Sequence, residues 1–128
     1  MDVIAKLALP EINEKLEAKG NVIIDGLYSF AEYVYLKNIF QEQLILIATH
    51  TEKKIRYERL SNRQIRPLKK EEVDKRDFLE ITMIEKGGPI AIADFHILNN
   101  AETHHLYKEI DSLFRRKINI NYGNQLER

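Results

Sequence analysis

Five arginines crowd the middle of this 128-residue chain: Arg56, Arg59, Arg63, Arg66 and Arg76. A guanidinium presents its donors as a rigid planar fork, so clustered arginines suit phosphate or carboxylate groups. Arg56, Arg59 and Arg63 follow one another at spacings of three and four residues, which puts them on one face of a helix. Asp25 ends the apolar run NVIID at 21–25. A carboxylate at the end of a buried parallel strand lies where α/β sheets take ligands, so Asp25 is a candidate for a metal-linked or general-base role.

Each of these residues also has a plainer reading. The arginines fit a solvated helix face, on which a Glu52–Arg56 pair at i, i+4 is worth about 0.2–0.5 kcal/mol. Asp25 fits a helix cap or a loop acid. Asp77 and Asp94 read as structural, the first paired with a nearby arginine and the second satisfying a turn. His104 and His105 open a helix with no H-E-x-x-H or matching ligand cluster, so no metal site is expected. His50 reads as a surface residue at a strand end. Tyr33, Tyr35 and Tyr57 read as core or boundary aromatics, because no RNA-binding motif accompanies them.

The composition narrows the partners. Lys+Arg and Asp+Glu both number 20, so no overall field draws the chain to nucleic acid or to an anionic membrane. With no cysteine, disulfides and thiolate metal sites are excluded, and a reducing cytoplasm is the expected setting. Asp2 and Glu11 interrupt the amino-terminal stretch, which therefore does not read as a signal peptide. No apolar run approaches the roughly 20 residues of a membrane helix.

The elements that must position the arginines follow from periodicity. A helix is expected over residues 2–19, with Val3, Ile4, Leu7, Ile12 and Leu16 at helical spacing, Pro10 kinking or dividing it, and Gly20 as its stop. NVIID reads as a buried strand, and Gly26 lets the chain turn after it. Ser29 and Glu32 form a capping box for a helix starting at Phe30, with Tyr33, Leu36, Ile39 and Phe40 on its buried face. LILIAT at 44–49 is a second strand. Thr51 is placed to cap the arginine helix, which starts at Glu52 and is broken by Pro67.

A helix over residues 70–85 follows, with Val73, Phe78, Ile81 and Ile84 apolar, and Gly87-Gly88-Pro89 ends it. A third strand is centred on 95–98. The last helix spans 101–117, with Leu106, Ile110, Leu113 and Phe114 inward. The order helix–strand–helix–strand–helix–helix–strand–helix predicts an α/β layered fold with a parallel sheet. One domain is expected over 1–117, with a flexible tail at 118–128.

At VIIDGLYSFAEY, RYERLSNRQIRPL, KRDFLEI and EKGGPIAIADFHILNN the chain resembles the dephospho-CoA-kinase-like P-loop proteins, often labelled AAA-family ATPases and related to adenylate kinase. The resemblance runs over roughly residues 2–114, and the combination RPL…RD…EKGGPIAIAD carries it. It implies a three-layer P-loop-kinase-like parallel sheet flanked by helices. The activity implied is ATP-dependent phosphoryl transfer from Mg-ATP to a small acceptor. In that pattern Asp25 lies near the metal or acceptor hydroxyl, and Arg59, Arg63 and Arg66 belong to a lid over the phosphates. Arg76 joins them as a nucleotide-binding residue within the Arg76-Asp77 pair.

The departure from the family is a large one. No G-x-x-x-x-G-K-[ST] occurs, so the phosphate-cradling loop, its lysine and its magnesium-binding hydroxyl are absent. Tyr28 also stands where some archaeal relatives carry an arginine. The chain is therefore expected to be the carboxyl-terminal part of such a kinase, its first strand and P-loop missing, and inactive alone. The alternative is a degenerate domain that binds a nucleotide, a CoA-like molecule or a protein partner without turnover. With the family's strand between NVIID and LILIAT absent, those two are expected to pair directly, to associate as a homodimer through exposed edges, or to need another polypeptide.

Overall fold

Two apolar tetrapeptides form the centre of the fold: β1 (Ile47–His50) and β2 (Phe95–Leu98). They pair in parallel, Ile47 opposite Phe95 through His50 opposite Leu98. A parallel pair needs a long crossover, and α3 (Lys53–Asn62), α4 (Lys70–Ile84) and α5 (Gly87–Ile92) supply it. Before the sheet come α1 (Val3–Glu17), α2 (Phe30–Phe40) and a 3-10 turn at Gln41–Gln43; after it come α6 (Thr103–Ser112) and a π-helical segment at Leu113–Ile118. This computed structural model describes residues 2–27, 29–84 and 87–118. The result is α/β, a small open parallel sheet flanked by helices. Apart from Ile118, the tail expected at 118–128 lies outside the described residues, as does Tyr28.

The main departure from expectation is NVIID. Residues 21–27 form no regular element and join no ladder among the described residues. A β-branched run becomes a strand only when its backbone finds a partner, and β1 has taken β2. Val22 and Leu27 instead turn onto the α1–α2 core, where Ala5, Ile12 and Leu36 are buried. Ile23 is left 84% exposed. Gly26 makes the expected turn, with φ at 87°.

Helix faces are narrower than the apolar spacing suggests. On α1 only Ala5 and Ile12 are buried, and Val3, Ile4 and Leu7 stand out in solvent. Pro10 lies inside one continuous helix, where it removes the N–H bond to the preceding turn and crowds the Lys6 carbonyl. The left-handed residue that ends α1 is Lys19 (φ 62°), not Gly20. Leu36 anchors α2, whereas Ile39 is exposed. On α4, Val73 is buried while Phe78 and Ile81 are exposed.

Local signals did better where backbone bonds decide. Ser29 caps α2, its hydroxyl accepting from the Glu32 N–H at 3.2 Å, and both residues are buried. Gly87-Gly88-Pro89 opens α5 rather than leading straight into a strand. Gly88 lies so close to the Phe30 ring that a Cβ there would sit 3.1 Å from it.

Candidate functional site

Ligands of open parallel sheets bind beyond the carboxyl ends of the strands, and Arg59 is found there. From α3 it donates through Nη1 to the Asn99 carbonyl (2.7 Å) and through Nη2 to the Ala101 carbonyl (2.8 Å). These carbonyls belong to the loop leaving β2. The loop leaving β1 is sewn to the same segment. Asn99 N–H donates to the His50 carbonyl (2.6 Å), Thr51 Oγ1 donates to the Asn99 carbonyl (3.0 Å), and the Glu52 N–H donates to Asn100 Oδ1 (2.7 Å). Thr51 therefore does not cap α3: Glu52 holds the cap position, and its side chain makes no cap bond. The hydroxyl is used across the loops instead.

The opposite end of the ladder is closed in the same way. Asp94 Oδ2 accepts from the Leu46 N–H (2.8 Å), and the Asp94 N–H donates to the Leu46 carbonyl (2.8 Å). Asp94 thus holds the strand entrance.

The remaining arginines go elsewhere. Arg56 pairs with Asp77 of α4 at 2.7 Å, not with Glu52, and both side chains are about a third exposed. Tyr57 and Lys53 converge on Asp74, which completes a polar seam between α3 and α4. Arg63 donates from Nε to the Arg66 carbonyl in the loop before Pro67. Arg66 takes a left-handed φ of 51° there, and its guanidinium is exposed with no partner among the described residues. Arg76 bridges to Glu80 at 3.3 Å on its own helix.

The arginine cluster of the sequence is therefore dispersed by the fold: Arg59 reaches the sheet end, Arg56 the α4 seam, Arg63 its own loop, Arg76 its own helix, and Arg66 is exposed to solvent. Asp25 lies exposed in the irregular 21–27 segment, not at the end of a strand. The two described grooves contain none of these arginines. One, about 320 Å³, is lined by Phe30, Ile81, Gly87 and Gly88. The other, about 170 Å³, lies between α1 and residues 22–24.

Arg59 has five N–H donors and commits two to carbonyls, so anion-binding capacity remains. Of the Mg-ATP that the resemblance implies, the chain offers phosphate donors at Arg59 and a solvent-facing carboxylate at Asp25. No group of three His, Cys, Asp or Glu among the described residues could hold a metal ion. Arg59 suits a phosphate, and Asp25 is a single carboxylate exposed to solvent.

Sequence reasoning missed His96 and the Asn99-Asn100 pair. His96 Nδ1 lies 2.8 Å from His50 Nε2, across the two strands. The asparagines are a legible strand-exit signal, because Asn readily hydrogen-bonds local backbone. The histidine pair becomes visible only once the register is known.

No protein-family model matches the chain. It is similar to UPF0200 proteins of archaea: 35% identical to one from Thermococcus sibiricus over 90% of this chain. It is 32% identical to one from Thermococcus gammatolerans over 91% of this chain, and 30% identical to one from Methanococcus maripaludis over 94%. The chain spans between 62% and 65% of the length of these curated relatives. Their printed name states kinship and no chemistry.

Proposed function

We propose that this chain is the carboxyl-terminal part of a dephospho-CoA-kinase-like nucleotide kinase, contributing phosphate-binding arginine to a reaction it does not run alone. The observation that carries this reading is Arg59 at the carboxyl end of a parallel strand pair, with N–H donors to spare. Phosphoryl transfer asks little covalent work of a protein. It relies on positioning and on neutralising charge over the transferred group, which an arginine at this place supplies. The cradle that would hold the rest of the nucleotide, a G-x-x-x-x-G-K-[ST] loop, is absent from the chain. Association through unpaired strand edges, as a homodimer or with a second polypeptide, belongs to the same reading. The exposed Ile23 supports it, as does a sheet of only two strands among the described residues, each with an outer edge that no described strand pairs.

Supplying a segment that carries such a loop, fused or in trans, and assaying ATP consumption with dephospho-CoA and other hydroxyl acceptors tests the proposal. Turnover that Arg59→Ala lowers about tenfold or more supports it, that factor being about 1.4 kcal/mol of transition-state stabilisation. No turnover with any acceptor, from a folded assembly, removes it.

One observation favours the non-catalytic alternative. Arg59, Arg63 and Arg76 all have protein acceptors, as expected of a domain that has turned its arginines to structural use. In that case calorimetry on the chain alone shows ATP, ADP or dephospho-CoA binding with no accompanying hydrolysis.

A further inference from the structure

We propose that His50 and His96 form a two-imidazole site for a transition-metal dication of the Cu²⁺, Ni²⁺ or Zn²⁺ kind at the exposed carboxyl end of the β1–β2 sheet. The inference is independent of the kinase reading.

The register sets it up. Ala48 lies opposite His96 and His50 opposite Leu98, so these four residues share one face of the sheet. Ala48 is buried, but towards the carboxyl end of this face Leu98 is 68% exposed and both histidines reach solvent. Diagonal neighbours of a ladder lie within reach of long side chains, and the imidazoles close the gap. Nε2 of His50 is 2.8 Å from Nδ1 of His96, with ring centroids 5.0 Å apart and planes inclined by 27°. The two rings thus meet nitrogen to nitrogen, in a hydrogen bond that needs one N–H and one lone pair.

Two imidazole nitrogens bound to one metal lie only slightly farther apart, since each metal–nitrogen bond is about 2.0–2.1 Å long. A small rotation of either ring makes room for the ion. The proton now between the rings has somewhere to go. If His50 carries it on Nε2, it moves to Nδ1 of the same ring, so both facing nitrogens present lone pairs and no proton need be released. If His96 carries it, the mirror shift to its Nε2 serves. Among the described residues neither outer nitrogen has a hydrogen-bond partner to oppose this.

Imidazole nitrogens select Cu²⁺, Ni²⁺ and Zn²⁺ over the oxygen-seeking Mg²⁺ and Ca²⁺. No third His, Cys, Asp or Glu completes the set among the described residues, so water fills the other coordination positions. The rings of His104 and His105 are tilted by 37° with centroids 4.1 Å apart, and His104 also meets Glu102. They serve as an internal control for ordinary surface histidines.

Zinc titrated into the full chain, with the histidine rings followed by ¹⁵N and ¹³C NMR, tests the site. The expected result is that the His50 and His96 rings shift together and first, with their nitrogen signals reporting the change of tautomer, while magnesium shifts neither. His50→Gln and His96→Gln each weaken zinc binding about tenfold or more, equivalent to about 1.4 kcal/mol. The double variant His104→Gln/His105→Gln leaves it unchanged. The proposal falls if the two rings titrate independently in the unaltered chain, a readout that stands even where a variant fails to fold. It falls equally if both single variants bind zinc as tightly as the parent.

Discussion

Arg59 shows how one side chain can join two loops. Its two bonds to the Asn99 and Ala101 carbonyls, together with Thr51 and the Glu52 N–H, tie the exits of β1 and β2 to each other. Hydrogen bonds from charged donors are worth about 1.5–3 kcal/mol in favourable settings. Arg59 is exposed, so a smaller figure applies: Arg59→Ala should cost about 1 kcal/mol in urea denaturation. Arg59→Lys should recover less than half of this, because a single ammonium does not reproduce a fork aimed at two carbonyls. Equal stability of all three proteins would show that the bonds contribute nothing. The sequence reveals Arg59 as a phosphate candidate. It does not reveal the carbonyls that already occupy it, because those lie about forty residues away along the chain, joined only by the fold.

At the scale of elements, the contrast between predicted and actual buried faces is instructive. Periodicity marks where a helix can turn an apolar face; it does not say whether anything covers that face. The α1–α2 contact is covered at Ala5, Ile12 and Leu36, so Leu36→Ala should cost about 2–5 kcal/mol. Leu7→Ala on the exposed side of α1, by comparison, should change stability by no more than about 0.5 kcal/mol. Thermal or urea unfolding of the two variants separates them cleanly, and equal losses would place Leu7 in the core. Local signals such as the Ser29–Glu32 box were legible because they depend only on neighbours three residues apart. NVIID was misread for the opposite reason. Its composition is that of a strand, and its pairing depends on what else the sheet contains.

For the whole molecule, the α/β class and the parallel order were legible from the alternation of helical and β-branched runs. Parallel strands normally lie buried between helical layers, and a two-stranded sheet with Leu98 68% exposed departs from that habit. Analytical ultracentrifugation should therefore show concentration-dependent association, weakened by Ile23→Lys, which places a charge on the most exposed apolar residue of the 21–27 segment. A strictly monomeric protein at all concentrations would argue that the edges are protected. The β1–β2 ladder is held at its entrance by Asp94 and Leu46 and at its exit by Thr51, Asn99 and Arg59. A ribbon clasped at both ends cannot fray from either, so its amide hydrogens should exchange with solvent as one cooperative group rather than in graded order. Asp94→Ala releases one clasp only. Amides at the Ile47 and Phe95 end should then exchange ahead of those near His50 and Leu98, turning a single opening event into a directional unzipping.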